Sequence, residues 1–185
     1  MCIRDRVNAV QAKAATDASA VDTAVKELGQ AIQDFKDSRI DTITPHWVQE
    51  GGSWRYQNAD GRWSTNTWQY IDKKWYHFDN GGYMQTGWLL DGKTWYYLKS
   101  SGAMATGWLL DGKTWYYLKG NGGMATGWLL DGRTWYYLKS NGAMATGWVK
   151  VSGKWYYLRA NGAMASKTWI GKYYVNGSGV WTKTR

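Results

Sequence analysis

Six pairs of tryptophans punctuate the chain: Trp47/Trp54, Trp68/Trp75, Trp88/Trp95, Trp108/Trp115, Trp128/Trp135 and Trp148/Trp155. The separation inside each pair is seven residues, and tyrosines follow the second tryptophan in most of them. A cage of aromatic faces without a carboxylate suits a quaternary ammonium ion. Such a cation donates no hydrogen bond and is held by ring quadrupoles and methyl packing, at about 0.5–2 kcal/mol per desolvated contact. The same residue types fit other uses. Exposed indoles stack on sugars, aromatics interleaved with lysine can hold single-stranded nucleic acid, and rings in repeats also serve simply as packing. Nucleic acid is the poorest fit, because the bases need an open, continuous groove.

Catalytic chemistry finds no material. His46 sits beside Pro45, and His77 in "KWYHFDN" reads as a variant of the second tyrosine. Asp91, Asp111 and Asp131 read as turn residues, and Asp60 and Asp79 as loop residues, which leaves no paired acids for glycoside hydrolysis. No Ser-His-Asp set, metal cluster or phosphate loop is evident. Cys2 is the only cysteine, so an intramolecular disulfide or thiolate metal site has no basis. No cofactor, metal or enzymatic activity is expected.

The elements that position the rings follow from a period. Successive tryptophan pairs begin 21, 20, 20, 20 and 20 residues apart, and a degenerate unit begins at Trp169, with Tyr173 in place of its second tryptophan. Six full repeats and a terminal one predict an all-β solenoid of stacked β-hairpins, with atypical ends as caps. In "WLLDGKTW" the Asp91-Gly92 pair carries a type I′ turn signal. A two-residue loop there would set Leu90 opposite Lys93, Leu89 opposite Thr94 and Trp88 opposite Trp95. Tyr97 would share the tryptophan face and Tyr96 the other. The other turns, "EGG", "IDKK" and "VSGK", are expected to differ. One hairpin is too small to be stable alone, so neighbours are expected to bury Trp, Tyr, Leu and Met between them. In the link "KSSGAMAT" Met104 is the one buriable residue.

The N-terminal part is of another kind. Residues 1–46 hold one aromatic, Phe35, and six basic against seven acidic residues, whereas 47–185 hold seventeen basic and seven acidic ones. The aromatic part is thus the basic part, and it suits a polyanionic partner. Lys93, Lys99, Lys113, Lys119 and Lys139 are placed to meet such a polyanion or to form a solvated edge. From residue 7 to about residue 40, Val7, Val10, Ala14, Ala18, Val21, Val25, Leu28, Ile32 and Phe35 make one stripe of an amphipathic α-helix. A helix of this kind calls for a partner helix or a homodimer. Residues 41–46 read as a linker, ended at Pro45. "MCIRDR", residues 1–6, reads as a spurious or disordered start, with a signal peptide and a further domain expected upstream. No run of about eighteen apolar residues is present to span a membrane.

"TGWLLDGKTWYYLKSSGAMATGW" resembles the choline-binding, or cell-wall-binding, repeat of Gram-positive surface proteins, and the likeness covers residues 47–185. The resemblance implies a left-handed hairpin solenoid whose sites lie between consecutive hairpins. Each site takes two tryptophans of one repeat, an aromatic of the following hairpin and a nearby methionine. Carried onto this chain, the sites are Trp68, Trp75 and Tyr96 with Met84; Trp88, Trp95 and Tyr116 with Met104; and Trp108, Trp115 and Tyr136 with Met124. Two more are Trp128, Trp135 and Tyr156 with Met144, and Trp148, Trp155 and Tyr174 with Met164. A first candidate, Trp47, Trp54 and Tyr76, departs from the pattern: Trp63 takes the methionine position and "WRYQ" replaces "WYYL". Trp181 takes the methionine position at the other end, where the tail is expected to cap the stack or help form a dimer.

What this implies is a secreted, non-catalytic attachment module on the bacterial surface. It would bind choline or phosphocholine on wall or lipoteichoic acid, associate peripherally without spanning a membrane, and bind no nucleic acid. A glucan- or glycan-binding repeat module, or the targeting arm of a wall hydrolase whose catalytic domain lies elsewhere, are the alternatives.

Overall fold

The computed structural model describes residues 3–37 and 43–185. The chain divides into two compact units. One holds the N-terminal helix and Gln57–Trp63; the other holds Val48–Tyr56 and Ser64–Arg185.

Helix α1 spans Ile3–Asp37. Its composition is rich in Ala, Lys, Gln and Glu and free of proline, which favours helix throughout. Its first turn lies within the stretch read as a spurious start, and residues 38–40, expected to finish it, lie outside the described residues. Among the described side chains of the predicted stripe, Val21, Val25, Leu28 and Ile32 are exposed.

The repeats fold as hairpins. They are β1 (His46–Glu50) with β2 (Ser53–Gln57), β3 (Thr67–Ile71) with β4 (Lys74–Phe78), and β5 (Gly87–Asp91) with β6 (Thr94–Leu98). Next come β7 (Gly107–Asp111) with β8 (Thr114–Leu118), β9 (Gly127–Asp131) with β10 (Thr134–Leu138), and β11 (Gly147–Val151) with β12 (Lys154–Leu158). The terminal unit is a three-stranded sheet of β13 (Thr168–Ile170), β14 (Tyr173–Val175) and β15 (Trp181–Thr184). Threonine and aromatic residues suit these short, half-buried strands. The fold is the expected all-β solenoid of stacked hairpins, preceded by one α-helix.

The register differs from the expected one. Asp91 pairs with Thr94, Leu90 with Trp95, Leu89 with Tyr96 and Trp88 with Tyr97. The two turn residues are therefore Gly92 and Lys93, not Asp91 and Gly92. Gly92 has φ +60° and Lys93 does not enter the left-handed region, the pattern of a type II′ turn with glycine first. The type I′ turns occur where Asp-Gly is missing: both central residues have positive φ at Gly51-Gly52, Asp72-Lys73 and Ser152-Gly153. In "DGK" the glycine is worth most at the first central position, and this moves Asp91 onto the strand. The slip is a whole residue on both strands, so side-chain faces are unchanged. Trp88, Leu90, Trp95 and Tyr97 share a front face, while Leu89, Asp91, Thr94 and Tyr96 share the back.

The core is narrower than expected. Phe78, Leu98, Leu118, Leu138 and Leu158, the last strand residues of the second to sixth hairpins, are fully buried at 0% exposure, and Ala105, Ala125, Ala145 and Ala165 are buried beside them. Leu90, Leu110 and Leu130 are about half exposed, so they contribute little to it. Met84, Met104, Met124, Met144 and Met164 are half-buried rather than core. Main-chain bonds stitch the stack together. The N–H of Met104 donates to the carbonyl of Trp75 in the preceding hairpin at 2.8 Å, while that of Ala105 ties its loop to Tyr97 of its own hairpin at 2.8 Å. The same bonds recur at Met124, Met144 and Met164.

Candidate aromatic cages

The second tryptophan of each regular pair is not core. Trp75, Trp95, Trp115, Trp135 and Trp155 are 38–43% exposed. That is far more than a packing role requires of the largest apolar side chain. The alternation of faces explains it: these rings lie on the front of a hairpin, and the back of the next hairpin covers only part of them.

The cages of Trp88, Trp108 and Trp128 are assembled in the same way. Trp88 and Trp95 stand nearly perpendicular, with ring centroids 6.3 Å apart. Tyr97, opposite Trp88 on the ladder, meets its indole edge-on at 5.2 Å. Tyr116, on the back face of the following hairpin, meets Trp88 at 4.8 Å. Trp108, Trp115 and Tyr136 repeat these distances at 6.3 and 4.7 Å, and Trp128, Trp135 and Tyr156 do so at 6.3 and 4.7 Å. In the β3–β4 hairpin Tyr96 packs on Trp68 at 4.9 Å, and His77 takes the place of the second tyrosine at 5.0 Å. His77 is buried and held through Nδ1 by the Gln85 side chain. It acts here as part of the cage wall.

The methionines belong one repeat further along than expected. The cavity lined by Trp128, Trp135 and Tyr156, about 490 Å³, includes Met164 and not Met144. The main-chain bond from Met164 to Trp135, at 2.8 Å, places it there. By the same bonds Met104 accompanies Trp75, Met124 accompanies Trp95 and Met144 accompanies Trp115, while Met84 is bonded to Trp54. The expected pairings of Met84, Met104, Met124, Met144 and Met164 with the cages of their own repeats are corrected accordingly. Sequence adjacency hid this, because the linking loop folds back over the preceding hairpin.

The terminal cage carries a second correction. Trp148 and Trp155 are joined by Tyr173 and Trp181 around a cavity of about 350 Å³. Tyr173 meets Trp148 at 5.5 Å; Tyr174 instead pairs with Trp169. The terminal hairpin is shortened, with Gly171-Lys172 as its turn, so Tyr173 rather than Tyr174 occupies the back face. Trp181 fills the methionine position of this cage, the role that the shift by one repeat predicts for it.

The first candidate differs. Trp47 belongs to the other compact unit, whereas Trp54 is partly exposed and Tyr76 is buried. Burial, with the charge of Asp72 adding to it, pushes the Tyr76 hydroxyl above its ordinary range.

One feature of the site was invisible in the sequence. Asp91, Asp111 and Asp131 are not turn residues. Their Oδ2 atoms accept the indole N–H of Trp68, Trp88 and Trp108, each at 2.9 Å. The cages of Trp68, Trp88 and Trp108 therefore do have a carboxylate, bonded to the edge of a wall. Among the described residues no group of three metal-ligating side chains is found, and no helix is long and apolar enough to cross a membrane.

The family model for the choline-binding repeat matches residues 64–106, 91–127 and 125–169. No curated protein matches the chain in sequence. Among solved structures, CbpJ from Streptococcus pneumoniae is 46% identical over 75% of this chain and 48% of its own, with a TM-score of 0.71. Choline binding protein F from Streptococcus pneumoniae, solved in the presence of a peptidoglycan analogue, is 45% identical over 76% of this chain and 47% of its own, with a TM-score of 0.71. The choline-binding domain of CbpL from the same organism is 32% identical over 77% of this chain and all of its own, with a TM-score of 0.55. The chain spans about half the length of the first two of these relatives. With the repeat model matched over more than half of its residues and the hairpin geometry in agreement, the chain belongs to the choline-binding repeat family.

Proposed function

We propose that the repeats attach the protein to the bacterial cell surface by holding choline headgroups of wall or lipoteichoic acids in the cages between consecutive hairpins. The observation that carries this is the shape and chemistry of the Trp128, Trp135, Tyr156 and Met164 cavity. It has three aromatic walls, a thioether and no charged side chain in its lining. A quaternary ammonium needs this environment: ring faces for its charge and apolar contact for its methyl groups. Single cages of this kind bind weakly, and several along one chain bind a polymer carrying many headgroups by multivalency. The basic balance of the repeats supports a polyanionic polymer as the partner.

The role is attachment without catalysis, in a secreted protein that associates peripherally with the wall. The sites are Trp68/Trp75/Tyr96/Met104, Trp88/Trp95/Tyr116/Met124, Trp108/Trp115/Tyr136/Met144, Trp128/Trp135/Tyr156/Met164 and Trp148/Trp155/Tyr173/Trp181. The exposed stripe of α1 supports a partner helix, in a second copy or another protein. Tryptophan fluorescence during a choline titration tests the main reading, with dextran and sodium chloride as controls. A saturable change with choline alone is expected. A response to dextran alone would replace choline by a glycan.

A further inference from the structure

The five cages differ in charge, even where their ring geometry is the same. In the first three, a carboxylate backs the wall: Asp91 on Trp68, Asp111 on Trp88 and Asp131 on Trp108. In the fourth, the ladder pair Asp131–Thr134 is replaced by Val151–Lys154, so a carboxylate gives way to an apolar residue beside an ammonium. Past Asp131 the chain has nine Lys and Arg and no Asp or Glu. In the fifth cage lysines already sit against the walls, with Lys150 Nζ 5.9 Å from the Trp155 ring centre and Lys172 Nζ 5.4 Å from that of Tyr173.

The carboxylate is not needed to place the rings. Trp128 and Tyr156 meet at 4.7 Å without one, as Trp108 and Tyr136 do with one. Its effect is then electrostatic. A carboxylate accepting the indole N–H pushes electron density into the ring and adds negative charge at the cage edge. Both favour a bare cation on the ring face. Lysines at the cage do the reverse: they repel a bare cation and attract a phosphate attached to it.

We infer that the aspartates divide the cages into two classes of ligand specificity. The Trp68, Trp88 and Trp108 cages prefer choline with no phosphate of its own nearby. The Trp128 and Trp148 cages, which lack that carboxylate, favour choline carrying its phosphate by comparison. This rests on the choline reading proposed above. Asp91, Asp111 and Asp131 act through the indoles they bind.

The test uses the full chain labelled with ¹⁵N at tryptophan, each indole N–H reporting its own cage. Choline chloride and phosphocholine are titrated separately at fixed ionic strength. The ratio of the two affinities is expected to favour choline at Trp88 and Trp108, and phosphocholine at Trp148, by about threefold or more each way, the scale of a partly exposed charge interaction. Asp111→Asn keeps an oxygen to accept the Trp88 N–H and removes the charge; it should shift the Trp88 ratio about threefold toward phosphocholine and leave Trp108 alone. The double variant V151D/K154T should shift Trp128 toward choline. A uniform ratio over all cages, or an unchanged ratio at Trp88 in Asp111→Asn, would overturn the division while leaving choline binding intact. Indoles that respond to neither ligand would overturn the choline reading and this inference with it. A partly unfolded variant would lose both affinities and not their ratio, so structural damage cannot mimic the expected result.

Discussion

The backbone N–H of Met124 donates to the carbonyl of Trp95 at 2.8 Å, across the boundary between one hairpin and the loop that follows the next. This contact assigns each methionine to a cage one repeat upstream of its own. Met124→Ala should therefore weaken choline binding in the Trp88/Trp95/Tyr116 cage and spare the Trp108/Trp115/Tyr136 cage. The loss should be about two- to tenfold, the range of a thioether contact near a ring. Indole signals resolved by residue distinguish the two cages. A loss confined to Trp108 would restore the assignment by sequence adjacency.

Tyr116 and Tyr117 are neighbours that serve different cages. Tyr116 meets Trp88 at 4.8 Å and Tyr117 meets Trp108 at 5.2 Å. Tyr116→Ala should reduce affinity at Trp88 by about tenfold, since it removes a wall. Tyr117→Ala should act at Trp108, through the orientation of that indole, and by less. Site-resolved titration of the two variants checks this, and effects on the same cage would refute the face assignment.

Stability resides in the leucine ladder. Leu118 is fully buried while Leu110 is about half exposed. Leu118→Ala should cost about 2–5 kcal/mol, and Leu110→Ala about 0.5 kcal/mol. Urea unfolding monitored by circular dichroism measures both.

A glycine test separates space from backbone strain. At Gly122, with φ +81°, an added Cβ would lie 2.2 Å from Met104 Sδ. At Gly112, with φ +60°, it would meet nothing within 4 Å. Gly112→Ala should cost about 1–3 kcal/mol for the positive-φ backbone of its turn alone. Gly122→Ala should cost more and also lower affinity at the Trp68/Trp75/Tyr96 cage, because Met104 is displaced. Comparison of melting curves with choline titrations decides.

The repeat period and the two faces of each hairpin were legible in the spacing of Trp88 and Trp95. The faces survived the wrong register because the slip kept parity. The register itself was not legible. "DGK" supports either a turn at Asp-Gly or one at Gly-Lys, and only the backbone at Gly92 selects the second. That choice decides whether Asp91 is a turn residue or a partner of Trp68. The methionine pairing depended on how the linking loop folds back, which residue spacing does not encode. At the C-terminal end, the two-residue shortening of the last hairpin moved the wall from Tyr174 to Tyr173 and gave Trp181 a place. The departures concentrate where a loop or turn sets the geometry, and agreement is best inside the strands, where alternation leaves few choices.

The stitching bonds also bear on how such a chain can change over generations. Residues 87–106, 107–126 and 127–146 are nearly identical, and each joins the preceding repeat through the same Met main-chain bond. Excising or duplicating a whole unit would bring together edges that already fit, whereas a cut of any other length would break the stitch on both sides. Recombination between near-identical stretches would thus lengthen or shorten the protein in steps of one unit. Each step adds or removes one complete cage, and no fresh interface has to arise for the variant to fold.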